Sequence, residues 1–389
     1  LRSLVGSEMC IRDSVRPARP ETLYRYRPFR AASRPRGHDI HWRSLMPETN
    51  AAIIARLKGL IEDALVDLVD PTQAFALLDF PNYDNIGDSA IWMGELAYFD
   101  GRGMRAGYVS EIPTFDEGKM KAAVGNAPIY LNGGGNFGDV WPGFRPFREA
   151  ILDRNKGRPI VQLPQTIKFN SEANRDSTAR AIEKHGKFTL LVRDQRSLDY
   201  ARAHFQCETR LVPDMAFCIG PVTPPAPTHE LLLNLRDDHE ATGTHDVSEA
   251  IKRPGTIQSD WPEEPEDFQR RTKRTAILRG LLSGQVGGRA RMTELAYRER
   301  ARQRFQRGIE LLGSARQVIT DRMHGHIMCV LIDRPHCVLD NSYGKTSGLI
   351  SAWNTTNSDR SFLVADMAEA LAVLDGMDQK KAADASVLA

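Results

Sequence analysis

From Thr49 onward the chain alternates short apolar runs with amphipathic stretches, and this rhythm restricts the possible folds more than any other feature. Residues 51–69 have the spacing of an amphipathic helix, 73–79 read as a strand, and a polar turn leads to a helix from about Ser89 to Phe99. Further strands are predicted at 106–109, 128–132, 159–163, 188–192 and 209–212, with helical segments between most of them. Strand and helix in turn imply a parallel sheet wrapped by helices.

The rhythm breaks at Gly220-Pro-Val-Thr-Pro-Pro-Ala-Pro-Thr228, whose prolines forbid regular structure and mark a linker. A second unit then begins. Residues 229–236 read as a strand, 265–312 as an Arg-rich helical region, 317–320 as a strand before a buried helix, 336–339 as a strand and 344–353 as a helix. The charged stretch 237–262 lacks a clear period and is predicted to be a mobile excursion. With 389 residues and 41% hydrophobic content the chain can fill two cores, so the expected domains are 46–220 and 229–389, joined by 221–228.

The formal net charge of +2 hides an asymmetry. Residues 1–46 hold ten arginines and four acids, which leaves the rest of the chain at about −4. Nothing outside this tail calls for a polyanion, so no nucleic-acid partner is expected. The tail is broken by Pro17, Pro20, Pro28 and Pro35 and reads as disordered. Its opening, Val5-Gly-Ser-Glu-Met-Cys-Ile-Arg-Asp-Ser14, looks like a translated adaptor sequence, with Met46 as a sensible start; residues 1–45 are therefore left out of fold reasoning. A basic targeting or membrane-surface arm is the alternative. Cys10, Cys207, Cys218, Cys329 and Cys337 show no paired spacing, which favours a reducing cytoplasm. No apolar run is long enough to span a bilayer, so any membrane contact should be peripheral, at the inner face.

Chemistry concentrates in Ile319-Thr-Asp-Arg-Met-His-Gly-His326, where an arginine and two histidines occupy five residues after an apolar run. Arg322 can grip a carboxylate or phosphate with two parallel hydrogen bonds, and a neighbouring imidazole can exchange a proton near neutral pH. The competing reading is a helix cap with a structural histidine. His324-x-His326-x-x-Cys329 suggests zinc, but helical residues two apart diverge, so no metal site is expected.

Three other segments carry signals. In Phe80-Pro-Asn-Tyr-Asp-Asn-Ile-Gly-Asp88, which joins a strand to a helix, Gly87 would permit a backbone conformation closed to other residues. Asp88 could cap that helix or face a ligand. Leu131-Asn-Gly-Gly-Gly-Asn-Phe-Gly-Asp139 contains the spacing Gly133, Gly135, Gly138, yet Pro142 and Gly143 interrupt the helix that a dinucleotide loop requires. Gly133, Gly134 and Gly135 are expected to let backbone approach a ligand or another loop. Arg193 ends a strand and could enter a cleft, or form a surface ion pair with Asp194.

Asn82-Tyr-Asp-Asn-Ile-Gly-Asp88, Asn132-Gly-Gly-Gly-Asn136, Arg193-Asp194 with Ser197, Pro213-Asp214, Asp321-Arg-Met-His-Gly-His326 and Asp340-Asn-Ser-Tyr-Gly-Lys345 together resemble, in order and spacing, the polysaccharide pyruvyl transferase family. The similarity spans about residues 73–353 and is closest to bacterial members from exopolysaccharide gene clusters. It implies an α/β fold with two Rossmann-like domains facing across a cleft, as in GT-B glycosyltransferases. It also implies phosphoenolpyruvate as donor substrate, with no cofactor, and a cyclic pyruvate ketal formed on a sugar or lipid-linked oligosaccharide acceptor. The family's donor-binding arginines and histidine would fall on Arg193, Arg322 and His324, with His326 and Gly133 to Gly135 in support. His324 would protonate the donor methylene and Asp88 would act as base near the sugar, with Asn85 and Asn136 on the acceptor side. A nucleotide-sugar glycosyltransferase and a non-catalytic glycan-binding subunit are the competing readings.

Overall fold

The computed structural model describes residues 48–237, 245–282, 284, 288–340 and 344–388. The basic tail and part of the expected excursion, 238–244, lie outside the described residues, as do 341–343 of the last motif.

Helix α1 (Asn50–Leu65) leads into β1 (Ala76–Leu78), α2 (Ile86–Asp100), β2 (Tyr108–Ser110), α3 (Glu117–Val124) and β3 (Ile129–Leu131). There follow β4 (Gly134–Gly138), α4 (Phe144–Arg154), β5 (Ile160–Lys168), α5 (Glu172–His185), β6 (Phe188–Val192), α6 (Gln195–His204) and β7 (Glu208–Leu211). After a short 3-10 turn at Met215–Ile219 and the proline-rich segment come β8 (His229–Asn234), α7 (Ser248–Ile251), β9 (Thr256–Gln258), α8 (Phe268–Leu282) and α9 (Arg289–Gly313). The chain ends with β10 (Ala315–Thr320), α10 (Met323–Leu331), β11 (His336–Leu339), α11 (Lys345–Trp353), β12 (Ser361–Val364) and α12 (Met367–Leu388).

The first seven strands form one sheet in the order β2-β1-β3-β5-β6-β7, with β4 beside β5. The other five form a second sheet in the order β12-β11-β10-β8-β9, and every pairing in both is parallel. The expected α/β class with parallel sheets is what the chain adopts. Strands buried largely on both faces account for the mainly apolar runs at 188–192 and 336–339, in which Thr189 and His336 are the polar members.

Helices connect the sheets. α9 lies along α2, α10 touches both, and Phe80 stacks on Tyr297 with ring centroids 4.2 Å apart. One large apolar cluster therefore draws on residues from α1 and α2 as well as α9 and α10.

Two local expectations are corrected. The glycine run is not a loop, because Gly134–Gly138 pairs with the far end of β5, which runs on past Pro164 by means of an irregularity in register near Gln162. Nor are residues 245–262 an excursion from the fold. Thr256–Gln258 is the edge strand beside β8, and Asp260 and Trp261 follow it into the site described below.

Candidate functional site

A cavity of about 450 Å³ opens where strands of both sheets end, in the size range of small-molecule sites. Arg193 follows β6, Arg236 follows β8 and Arg322 follows β10; all three line it, together with His324 in the first turn of α10. In parallel sheets the carboxyl ends of strands are where following helices present free N–H groups and loops present side chains. The sequence placed a charged residue just beyond each of these apolar runs, and the fold brings them to one space.

Two carboxylates, Asp214 fully buried and Asp260 partly exposed, hold Arg193 and Arg322 in place. Arg193 is 2% exposed; its Nη1 lies 2.5 Å from Asp214 Oδ2 and its Nε donates to Thr166 Oγ1 at 3.0 Å. The alternative of a surface pair with Asp194 is not adopted, since Asp194 caps α6 by accepting from Ser197 N at 2.8 Å. Asp214 Oδ1 accepts from Ala216 N at 2.9 Å, and Oδ2 also stands 3.6 Å from His324 Nε2. Burial alone would raise the Asp214 carboxyl, but His324 and Arg193 outweigh it and hold it below the usual carboxylate range. On the other side, Arg322 forms a two-pronged pair with Asp260, Nη2 to Oδ2 at 2.5 Å, and sits 5.6 Å over the Trp261 ring. The Arg322 pair lowers the Asp260 carboxyl against the opposing effect of burial.

Gly87 is explained by contact rather than by the backbone freedom expected of it. It lies inside α2, and a Cβ there would fall 2.5 Å from His324 Nδ1. The His324 ring is thus held with one nitrogen against α2 and the other toward Asp214.

The opposite wall comes from the loop after β1 with the start of α2, and from β4 with the loop that follows it. Asn85, not Asp88, caps α2, its Oδ1 accepting from Gly87 N at 2.9 Å and Asp88 N at 3.3 Å. Asp88 is left facing the cavity and accepts from the Tyr83 hydroxyl at 2.9 Å. Asn136 also lines the cavity, its side-chain oxygen held by Arg148 and by Gln165 Nε2 at 2.9 Å. Of the three glycines only Gly135 lines it. Gly133 is instead required by packing, since a Cβ would meet Pro164 O at 2.8 Å, and Gly134 has φ +134, which favours glycine.

His326 does not reach the cavity, which corrects its expected part in donor binding. Its ring is fully buried, with Nδ1 2.7 Å from His336 Nε2 and Nε2 2.8 Å from Thr355 Oγ1. His336 Nδ1 faces the Arg334 carbonyl at 2.7 Å, which can only accept. His336 must therefore donate there and accept from His326, which in turn accepts from Thr355. Burial pushes both rings down, His336 to about 4, so the pair is neutral and structural. With His326 turned inward and His324 toward Asp214, the two histidines do not converge on a common point.

Sequence reasoning quoted Asp214 and Tyr83 within motifs but gave them no role, and it missed Asp260 and the aromatic lining by Trp141, Phe144 and Trp261. Arg236 could have been found from its place after an apolar strand, as Arg193 was. Trp141 and Phe144 flank Pro142 and Gly143, which drew notice only as helix breakers.

A sequence profile of the polysaccharide pyruvyl transferase family matches residues 85–343, which include both arginines paired above, His324 and Asp88. EpsO of Bacillus subtilis, assigned as a pyruvyl transferase, is 30% identical over 292 residues, covering 74% of this chain and 88% of EpsO. Pyruvyl transferase 1 of Schizosaccharomyces pombe is 28% identical over 296 residues, covering 72% of this chain and 69% of its own. Among solved structures, an uncharacterised protein of Klebsiella pneumoniae superposes with a TM-score of 0.50 at 16% identity, covering 79% of this chain and 99% of that one, a likeness of fold. With this profile match and these relatives, the chain belongs to the polysaccharide pyruvyl transferase family.

Proposed function

We propose that the protein transfers the enolpyruvyl group of phosphoenolpyruvate onto two hydroxyls of a sugar in an exopolysaccharide or cell-surface glycan precursor, forming a cyclic ketal and releasing phosphate. The observation that carries this reading is the convergence of Arg193, Arg236, Arg322 and His324 on a cavity whose other wall exposes Asp88. Phosphoenolpyruvate bears a carboxylate and a phosphate, and arginines from the two sheets would neutralise both ends.

The balance of the reaction assigns two protons. One sugar hydroxyl proton in net ends on the donor methylene, which becomes a methyl group, and the other leaves with phosphate as the C–O bond to phosphorus oxygen breaks. His324, with the Asp214 carboxylate 3.6 Å behind it as counter-charge, would deliver the first proton and make the neighbouring carbon electrophilic. Asp88 would receive a proton from an attacking hydroxyl. Asn85 spends its side-chain oxygen on the helix cap, so Asn136 is the better acceptor-side amide of the two.

The two parallel sheets are read as two Rossmann-like domains of GT-B type with the donor between them. We place the protein in the cytoplasm, meeting an acceptor that is free or lipid-linked at the inner membrane face; no described helix is long and apolar enough to cross a membrane. The reaction needs no further cofactor. Incubation with phosphoenolpyruvate and candidate glycans should release phosphate only when both are present. A nucleotide-sugar glycosyltransferase or a binding subunit would release none.

A further inference from the structure

The cavity is divided by chemistry. Its cations, Arg193, Arg236, Arg322 and His324, stand beyond β6, β8 and β10 with Trp261 under Arg322, whereas Tyr83 of the loop after β1, Trp141 of the loop after β4 and Phe144 at the start of α4 line the other side with Asp88 of α2 and Asn136 of β4. These three aromatic rings carry no charge with which to bind an anion.

We propose that Tyr83, Trp141 and Phe144 form the seat for one pyranose ring of the acceptor, with Asp88 and Asn136 reading its hydroxyls. This rests on the pyruvyl-transfer reading for the word acceptor, but the sugar-binding claim can be tested without it. A pyranose presents a face of C–H groups and an edge of hydroxyls. The C–H face packs on the electron-rich face of an aromatic ring, and the hydroxyl edge needs acceptors such as a carboxylate. The wall supplies both within one constellation. Tyr83 meets Phe144 edge to face, with centroids 6.4 Å apart and planes at 86°, and its hydroxyl ties directly to Asp88 Oδ2.

The wall is also held rigid, as recognition of a fixed ring requires. Arg148, 4% exposed, lies 5.7 Å from the Phe144 ring centroid while its guanidinium grips both the side chain and the backbone carbonyl of Asn136 and reaches Asp79 at 3.2 Å. One buried cation therefore fixes an aromatic ring and the amide beside it. Trp141 and Gly135 also line a smaller adjoining hollow of about 50 Å³, bordered by Thr166 and Ser197, which gives a substituent on the seated ring somewhere to project. An acyl chain would gain the aromatic contact but would strip water from the Asp88 carboxylate and bring no donor to add to the Tyr83 hydroxyl, a cost that a hydroxylated ring avoids.

The test uses saturation-transfer difference NMR on the whole protein with methyl glycosides of common hexopyranoses, beside calorimetric titration with phosphoenolpyruvate. Wild-type protein should transfer saturation to ring protons of at least one glycoside. Trp141→Ala and Phe144→Ala should each reduce that transfer at least fivefold, Trp141→Phe should restore most of it, and phosphoenolpyruvate affinity should stay within twofold throughout. Ring transfer that survives the Trp141→Ala/Phe144→Ala double variant, transfer confined to the methyl aglycone, or no transfer from wild type would each overturn the seat. If instead glycosides bind as described and phosphoenolpyruvate does not, the seat stands and the donor reading falls.

Discussion

Replacing Gly87 with alanine adds one carbon where the structure has no room for it, and the effects on stability and on chemistry should part company. In an exposed helix the exchange stabilises by up to about 1 kcal/mol, because glycine loses more backbone freedom on folding. At Gly87 the new Cβ would lie 2.5 Å from His324 Nδ1, 2.7 Å from Cγ and 2.9 Å from Cβ. These atoms are near the root of the side chain, so no distal rotation relieves the clash. To restore 3.4 Å the ring must retreat by roughly 0.9 Å, and its other nitrogen is already 3.6 Å from Asp214. Displacement of a reacting group by about 1 Å costs on the order of 10²-fold in rate, about 2.7 kcal/mol of transition-state stabilisation.

Gly87→Ala should therefore slow phosphate release about a hundredfold at saturating phosphoenolpyruvate, with the melting temperature changed by only a few degrees. The paired control is Gly59→Ala, in α1, where a Cβ meets nothing within 4 Å. That variant should gain stability and keep full turnover. Wild-type turnover in Gly87→Ala would refute the reasoning, since a ring that can move this far without consequence is not the positioned acid.

The remaining expectations concern the arginines, the histidines and pH. Arg193→Ala and Arg322→Ala should each weaken phosphoenolpyruvate binding by about 2 to 5 kcal/mol in calorimetry, the range for removing one partner from a desolvated charge pair. Arg193→Ala should also lower the denaturation midpoint more than Arg322→Ala, because Asp214 is 1% exposed and Asp260 is less enclosed. His324→Gln should cut turnover by about 10² to 10⁴-fold with the fold intact, while His326→Gln should lose stability first, as its two buried hydrogen bonds predict; the reverse pattern in rate and melting assays would exchange the roles. With His336 held at about 4 in the folded state, the unfolded chain binds the extra proton between about pH 6.5 and 4, so stability falls as pH falls through that window. His336 alone should cost about 2 kcal/mol by pH 5, and a His326→Leu/His336→Phe double variant should lose that part of the slope in denaturant titrations at pH 7 and pH 5.

How much of this was legible in the sequence depends on the range of the forces involved. β6 and β11 were read with their observed bounds because strands buried largely on both faces need mainly apolar runs. β9 was missed because an edge strand of three residues, none fully buried, leaves no such run. β4 was missed for a different reason: glycine disfavours strands, and Gly134–Gly138 becomes one only because β5 extends past Pro164 to offer it a partner.

The site follows the same division. Arg193, Arg322 and His324 were legible because a cation directly after an apolar strand has few places to go except the carboxyl edge of the sheet. Their ion pairing was not, since Asp214, though quoted in a motif, lies 21 residues from Arg193 and Asp260 lies 62 residues from Arg322, and only folding brings each pair together. Those carboxylates alter what the cluster means. A bare group of cations would repel itself and take any anion at any geometry, whereas arginines already clamped by aspartates hold fixed directions before any anion arrives. On the proposed pyruvyl-transfer reading, selectivity for one small dianion over others would come from the spacing that Asp214 and Asp260 impose on Arg193 and Arg322, rather than from positive charge alone.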